Sequence, residues 1–396
     1  MSTRCSSGTS NEVSVEGALQ QALEQARSGQ GERVPDVGFL FASPRYDLDR
    51  LVRLARAELA TTSWLAASTA GEFTERGFTR GGLSLFLVSF GKTEHAVGFA
   101  PVMGDDPVGL VAELRATDSA STPEHRRAGR GFPITLLLGD GLSPIFERAV
   151  IELRRTVSDE HLIAGAGAGD DLALVRTAVG THEGATFGAA AALHLWSEVP
   201  WATGIAHGLS PASKRMSVTR ARGNLVYEID GKPAFECYRE YAALRGVDLA
   251  QVPLPEFLVQ NELGVMLFDD LVRVRAPLAV GSDGELVCAG EVPEGAQVCI
   301  VRGEPDVILD AARTAARQAR DGLRGASAAG LLVFSCVCRN RTLGSNYPRE
   351  VAAIRDVFPD VPLAGFSSYG EVARDPGRLD GYHNNSVVIV AIPQNA

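Results

Sequence analysis

The sequence predicts a mixed α/β protein with a two-part body, in which mixed sheets are packed by helices and built on repeated β-α-β units. Three observations lead to this class. An order of strand, helix, strand and glycine-containing acidic turn occurs three times along the chain. Strand and helix patterns alternate elsewhere as well. The 396 residues exceed what one ordinary hydrophobic core holds, which favours two domains.

The first copy begins at the apolar run 37–41, which is typical of a buried strand. Apolar residues then recur at helical spacing through 48–59, and 64–67 predicts a second strand. This strand enters the turn 68–72, which reads STAGE, and another apolar strand is expected at 83–90.

The second copy follows the same order. It contains a strand at 133–138, a helical pattern at 146–157 and a strand at 161–166. The turn that follows, 167–171, reads GAGDD, and the closing strand is expected at 189–196.

The third copy lies near the C-terminus, with a strand at 331–334, a helical pattern at 347–358 and a strand at 362–366. Its turn, 367–371, reads SSYGE, and a last strand is expected at 386–392. One glycine–acid pair after a strand is ordinary turn chemistry. Three pairs at matching positions predict a repeat.

Two interpretations of these turns compete. Strand ends deliver hydroxyls, bare amides and carboxylates to a crevice, which is where ligands bind in open α/β sheets. Alternatively, the glycine makes a tight turn and the acid accepts backbone hydrogen bonds. The threefold occurrence favours a ligand role for at least one turn, above all the third, where Tyr369 adds an aromatic hydrogen-bonding wall.

The residues outside these copies divide the chain further. Residues 1–35 are rich in polar and small residues and are expected to form a flexible tail with at most a short amphipathic helix. The stretch 116–131 has the composition of a linker. We expect one domain at 36–222 and a second at 223–393.

Composition excludes several classes of partner and cofactor. A formal net charge of −10 and no clustered Lys or Arg run argue against nucleic acid binding. The six cysteines form no disulfide framework, and no segment is apolar enough for a signal peptide or for membrane insertion, so a cytoplasmic location is expected. Neither dinucleotide nor P-loop spacing occurs, and no His or Cys pair has metal-ligand spacing, so no cofactor and no metal are expected.

The segment 335–339, which reads SCVCR, lies directly after a predicted strand. Cys336 could be a thiol nucleophile with His383 as its base, but a small buried hydrophobe is the more common role of such a cysteine. Arg339 could offer a fork for a ligand carboxylate or form a surface ion pair. Asn384 offers both a donor and an acceptor to a polar ligand.

The chain resembles the FIST family, a pair of sensory domains called FIST N and FIST C. The part from Val37 through the first two turns is similar to FIST N, and the part from 227–233 onward is similar to FIST C. The stretches that carry the second resemblance are 334–339, 365–371 and 383–386. One departure is Cys338, which stands where the family pattern leads us to expect a glycine.

The resemblance implies a protein that binds a small ligand, such as an amino acid, and passes a signal to an output domain. No output module occurs in this sequence, so the protein is expected either to signal through a separate partner protein or simply to bind its ligand. The candidate ligand-binding residues are Arg339, Tyr369, Glu371, Asn384, Thr69 and Glu72. An amino acid would place its carboxylate on Arg339 and its ammonium on Glu371. The rivals are a thiol- or carboxylate-based enzyme and a protein-interaction scaffold.

Overall fold

The computed structural model describes residues 2–91, 93–120, 131–267, 271–374 and 380–395. Most of the linker predicted at 116–131 therefore lies outside the described residues. Within these ranges, no helix is long and apolar enough to cross a membrane.

The predicted repeat is present, and each copy contains more strands and helices than the β-α-β unit alone. The first copy spans 4–89 and consists of β1 (Arg4–Ser10), α1 (Val15–Gln30), β2 (Val37–Ala42), α2 (Leu48–Glu58), β3 (Ser63–Ser68), β4 (Glu72–Thr74), β5 (Gly77–Thr79) and β6 (Leu83–Ser89). The second copy spans 94–197 and consists of β7 (Glu94–Ala100), α3 (Pro107–Ala120), β8 (Phe132–Asp140), α4 (Pro144–Arg155), β9 (Leu162–Ala168), β10 (Ala178–Thr181), β11 (Gly184–Phe187) and β12 (Ala190–Ser197). Both copies thus share one order of elements.

The third copy has the same order of strands but carries an insertion after its first strand, β13 (Ala202–Ala206), and an additional short helix and 3-10 turn after its second strand. The insertion contains β14 (Ser210–Pro211), β15 (Met216–Arg222), β16 (Leu225–Ile229), β17 (Lys232–Pro233), α5 (Glu236–Leu244), α6 (Leu254–Gln260), β18 (Glu262–Met266), β19 (Val272–Arg275), β20 (Pro277–Val280), β21 (Leu286–Cys288) and β22 (Gln297–Arg302).

After the insertion the copy resumes and runs to the last strand. Its elements are α7 (Pro305–Gly322), β23 (Ala328–Cys336), α8 (Val337–Leu343), a 3-10 turn (Gly344–Asn346), α9 (Pro348–Arg355), β24 (Leu363–Ser368), β25 (Glu371–Arg374), β26 (Asp380–His383) and β27 (Val387–Pro393).

The three copies form three six-stranded sheets that exchange hairpins in a ring. The strand orders are β1-β6-β2-β3-β10-β11, β7-β12-β8-β9-β25-β26 and β13-β27-β23-β24-β4-β5. Each sheet therefore holds four strands of its own copy and a hairpin from another copy. Within each copy the two strands of the β-α-β unit pair in parallel, as a helical crossover requires. The insertion forms a separate nine-stranded sheet.

Alternating residues along these strands explain where the cores lie. One face of all three sheets contributes to a shared central core, in which Phe41 and Phe366 lie 4.8 Å apart between ring centroids and Phe334 joins them edge-on. The opposite face of each sheet packs against the helices of its own copy. Burial on both faces accounts for the nearly continuous apolar runs of the central strands.

The N-terminal residues differ from the loose tail predicted for 1–35. Strand β1 pairs with β6 over seven residues, and α1 buries Leu19 and Leu23 against the first sheet. The strand Arg4–Ser10 is built mainly of serine, threonine and glycine, so it shows no apolar alternation. Its buried hydroxyls are stabilised by side-chain hydrogen bonds, such as that from Ser7 to Glu75. The domain division at 222 stays a prediction, although β15 and β16 pair across it.

Candidate functional site

The three glycine-containing turns contact one another in a ring. The amide of Ala70 donates to the carbonyl oxygen of Ser367 at 3.0 Å, and that of Tyr369 donates to Gly167 at 3.0 Å. The amide of Gly169 closes the ring by donating to Ser68 at 2.8 Å. Residues 70, 169 and 369 are therefore structurally equivalent. The same bonds place the C-terminal ends of β3, β9 and β24 side by side.

The turn acids Glu371 and Glu72 bind the protein itself. The Glu371 carboxyl is fully buried and accepts hydrogen bonds from the hydroxyls of Ser368 at 2.7 Å and Ser386 at 2.8 Å. Glu72 has the same arrangement with the Thr69 hydroxyl and the Gly82 amide. Burial raises the pKa of Glu371 well above its usual value and that of Glu72 to about 8. Each acid thus ties its turn to the start of the closing strand.

The turn of the second copy lacks this arrangement. Ala168 replaces the hydroxyl residue, and Asp171, at the position of the acid, is exposed and accepts from Ser43 at 2.6 Å. The neighbouring Asp170 is buried and accepts from the Tyr369 hydroxyl at 2.7 Å and from three backbone amides. The side chain of Tyr369 is therefore fixed by the second copy.

Arg339 does not offer the guanidinium fork that the sequence led us to expect. The side chain is fully buried and binds Glu350 Oε2 through two nitrogens, at 2.9 and 2.6 Å. Its remaining donors bind the carbonyl oxygens of His207 and Ile308. These bonds inside the protein hold α7, α8 and α9 together. Arg339 is therefore a structural residue and not the predicted binding group for a ligand carboxylate.

A cavity of about 200 Å³ lies between the insertion and the strand ends of the second and third copies. Much of its wall is apolar, with contributions from residues of all three parts: Leu142, Leu172, Pro255, Val259, Leu278 and Val337. A mostly apolar pocket with a few convergent polar groups is the usual form of a small-molecule site.

Polar groups of α8 and of the third copy reach this cavity. Arg341 lines it and is exposed, and its guanidinium has no hydrogen-bond or ion-pair partner among the described residues. Asn384 is 2% exposed, and its Oδ1 has no hydrogen-bond partner in the described part of the chain. Tyr369 forms part of the wall. The cavity therefore presents a cation and an unused acceptor above an apolar surface.

The thiols of Cys336 and Cys338 also line the cavity. Burial disfavours the Cys336 thiolate, but hydrogen bonds from the Cys338 thiol and from the backbone amides of Cys338 and Asn385 outweigh it and lower the pKa of Cys336 to about 7. The contact with Cys336, together with burial, raises the pKa of Cys338 well above its usual value. Cys336 ends β23 and precedes α8, so its sulfur lies at a strand end.

Several buried polar atoms cluster behind these thiols. Both carboxyl oxygens of Glu262 and both amide atoms of Asn385 lack hydrogen-bond partners of normal geometry among the described residues, as does Nε2 of His383. Burial and the neighbouring Cys336 raise the pKa of Glu262 well above its usual value, whereas Asn385 and Cys338, which lie close to the carboxyl, oppose this rise. Each unsatisfied buried polar group lowers the folding stability by about 1 to 3 kcal/mol. A cluster of such groups therefore indicates a functional site.

The structure thus separates the six predicted ligand-binding residues. Tyr369 and Asn384 line the cavity, whereas Arg339, Glu371, Thr69 and Glu72 do not. Sequence reasoning missed Arg341. A signal existed, because Cys338 and Arg341 are three residues apart on one helix and therefore share a face. In the described residues, no group of three or more His, Cys, Asp or Glu side chains is arranged to hold a metal ion.

Fold and cavity together define a repeat-built α/β protein with a mostly apolar cavity at its strand ends. The chain belongs to the FIST family: the FIST N domain model matches residues 36–232 and the FIST C domain model matches 234–374. FIST domains are sensory domains that bind small ligands in signal transduction.

Curated relatives share this sequence at low identity. The uncharacterized protein Rv0628c of Mycobacterium tuberculosis is 26% identical over 198 residues, and the uncharacterized protein Mb0898c of Mycobacterium bovis is 27% identical over 204 residues. Each match covers 47% of this chain, and the chain spans about half the length of the curated relatives it matches. A solved cyanuric acid hydrolase, described as an innovation by structural concatenation, aligns with 99% of this chain and 100% of its own at 7% identity and a TM-score of 0.32.

Proposed function

We propose that this FIST protein is a sensor that binds a small carboxylate-bearing metabolite, with an amino acid as the leading candidate, in the cavity beside α8. The observation that carries the proposal is that Arg341 and Asn384 both line this cavity. The guanidinium suits a ligand carboxylate, and the unused Oδ1 suits a donor such as an ammonium group.

The apolar lining favours amino acids with apolar side chains over charged ones. Burial of a leucine-sized side chain contributes about 1.5 to 3 kcal/mol, whereas burial of an unpaired charge is costly. The ligand contacts proposed here differ from the original pairing of Arg339 with Glu371. Arg341 takes the place of Arg339, and Asn384 takes the place of Glu371.

Ligand binding could be passed on through the insertion. The cavity wall includes residues of the core copies and residues such as Leu278 and Glu291 of the insertion, so a ligand that contacts both would bias their arrangement. A separate output protein would read that change. The cytoplasmic location stays a prediction.

A thermal-shift screen of the purified protein against amino acids tests the proposal. A ligand at 100 times its Kd adds about 2.7 kcal/mol, which corresponds to a rise of about 3 °C in Tm for a chain of this size. N-acetylated and amidated forms of each hit test the ammonium and the carboxylate separately. We expect the shift to disappear in Arg341→Ala and to persist in Arg355→Ala, a matched change at an exposed arginine of α9 that lies outside the cavity wall.

No shift with any amino acid or small carboxylate would contradict the proposal. Equal rises in Tm in wild type and Arg341→Ala would show that the ligand binds elsewhere on the molecule.

A further inference from the structure

We infer that Cys336 and Cys338 form a reactive dithiol in the cavity wall, which a small hydroperoxide oxidises to a disulfide. This reaction goes beyond ligand sensing and uses two thiols that the proposed ligand contacts leave unused. The two cysteines are two residues apart and both line the cavity, and Cys338 is the side chain that contributes most to stabilising the Cys336 thiolate.

The two thiols are chemically unequal, as an attacking and a resolving thiol must be. Backbone amides and the partner thiol stabilise the Cys336 thiolate, which gives it a pKa of about 7, whereas the pKa of Cys338 is raised. An attacking thiol is most effective when its pKa is near the ambient pH. Cys336 also lies at the N-terminus of α8, where the backbone amides of Cys338 and Asn385 stabilise a thiolate, so Cys336 attacks first and Cys338 resolves.

Independent observations mark the surroundings of the pair as a site. Asn384 lines the cavity, and its Oδ1 is buried without a partner in the described ranges, which leaves an acceptor for the O–H of a hydroperoxide. The carboxyls of Glu371 and Glu262 adjoin Cys336 from β25 and β18, and both have raised pKa values, so each holds a proton near neutral pH. A carboxyl of this kind serves as a proton donor.

The reaction balances without any further reactant. The Cys336 thiol ionises by losing its proton to solvent, and its thiolate attacks the outer oxygen of the hydroperoxide. The S–O bond forms as the O–O bond breaks, and the leaving alkoxide takes the proton that Glu371 holds; Glu371 then regains a proton from solvent. The Cys338 sulfur then attacks the sulfenic acid, so that the S–S bond forms and the hydroxide leaves with the Cys338 proton as water. One hydroperoxide and two thiols give one disulfide, one alcohol and one water.

Cys288 provides an internal control. It lies in the wall of the same cavity and is fully buried, but burial raises its pKa to about 12. Cys336 should therefore react with iodoacetamide at neutral pH at least about 100-fold faster than Cys288, because the thiolate is the reactive form. The alkylation rate should rise with pH through about 7 and then level off; Cys338, Glu371, Glu262 and Tyr382 are the titratable groups that face this sulfur.

The test uses the wild-type protein, treated with hydrogen peroxide or tert-butyl hydroperoxide, and peptide mapping by mass spectrometry. We expect the loss of two hydrogens from the peptide that contains Cys336 and Cys338, and no change at Cys288. In Cys338→Ser the reaction should stop at a sulfenic acid on Cys336, which dimedone traps. In Cys336→Ser neither product should form.

Three results would overturn the inference. They are equal alkylation rates at Cys336 and Cys288, oxidation of Cys336 in the wild type that stops short of a disulfide, and no oxidation of either Cys336 or Cys338 in the wild type. The assay needs no metabolite, so a negative amino acid screen leaves its outcome unaffected.

Discussion

The repeated turns and the cavity wall beside α8 are neighbours in the fold, but they differ in what their polar groups bind. In the turns, Glu72 and Glu371 are buried and each accepts several hydrogen bonds from nearby hydroxyls and amides. In the cavity wall, Arg341 and Asn384 present unused groups. The turn acids that recur in the copies hold the fold together, and Glu371 also adjoins Cys336, whereas Arg341 and Asn384 of the third copy leave groups available to bind a ligand.

The largest expected effect separates two arginines of α8. Arg339→Ala leaves Glu350 buried without its counter-ion, which we expect to lower the free energy of unfolding by about 3 to 5 kcal/mol. Arg341→Ala removes an exposed side chain and should change that free energy by no more than about 0.5 kcal/mol. Urea denaturation of both variants measures the difference. Equal stability of the two variants would show that Arg339 is not the structural member of the pair.

The next effect compares the turn acids of different copies. Glu371→Ala leaves the buried hydroxyls of Ser368 and Ser386 without their acceptor, and we expect a loss of about 2 to 3 kcal/mol. Asp171→Ala, at the equivalent exposed position of the second copy, should cost at most about 1 kcal/mol. Denaturant midpoints of both variants check this. A greater loss in Asp171→Ala would contradict the structural role assigned to the buried acid.

A pH effect tests the same turns by titration. The folded protein holds the Glu72 proton up to a pKa of about 8, against an ordinary value of 4.5, so its contribution to stability is fully present below about pH 4.5 and is lost as the pH rises through about 8. Glu72→Gln cannot ionise and should lose less stability than wild type between these values. Asp171 faces Glu72 and also has a raised pKa, so Asp171→Asn is the control. Parallel profiles of Tm against pH for wild type and Glu72→Gln would refute the assignment.

The smallest expected effect concerns the hydroxyl of the first turn. Thr69→Ala removes one donor to the buried Glu72 and should cost about 1 kcal/mol, whereas Thr69→Ser keeps the donor and should cost less. Thermal unfolding of the two variants distinguishes them. A loss as large in Thr69→Ser as in Thr69→Ala would mean that the methyl group, and not the hydrogen bond, stabilises the turn.

The sequence was sufficient to find the repeat, because buried strands and amphipathic helices leave local patterns. Strands β2, β8 and β23 and their partners lie where the apolar runs predicted them. The exchange of hairpins between copies could not be predicted, because β4, β10 and β25 are short strands and the strands with which they pair lie far away in the sequence. Strand β1 was missed because serine and threonine residues mask its burial.

The site was predicted less well, for a physical reason that Arg339 and Arg341 illustrate. Successive helical residues are rotated by about 100°, so residues two apart point to nearly opposite sides of α8. Sequence spacing alone does not say which side meets the core. The insertion supplies much of the cavity wall, and only the folded chain brings Leu278 and Cys288 to Cys336.

The most direct test of the account measures the thermal shift of wild type, Arg341→Ala and Glu72→Gln with the best ligand from the amino acid screen. The account predicts a rise of about 3 °C at 100 times Kd in wild type and in Glu72→Gln, and no rise in Arg341→Ala. A rise that persists in Arg341→Ala but is lost in Glu72→Gln would contradict it and would return the binding site to the repeated turns.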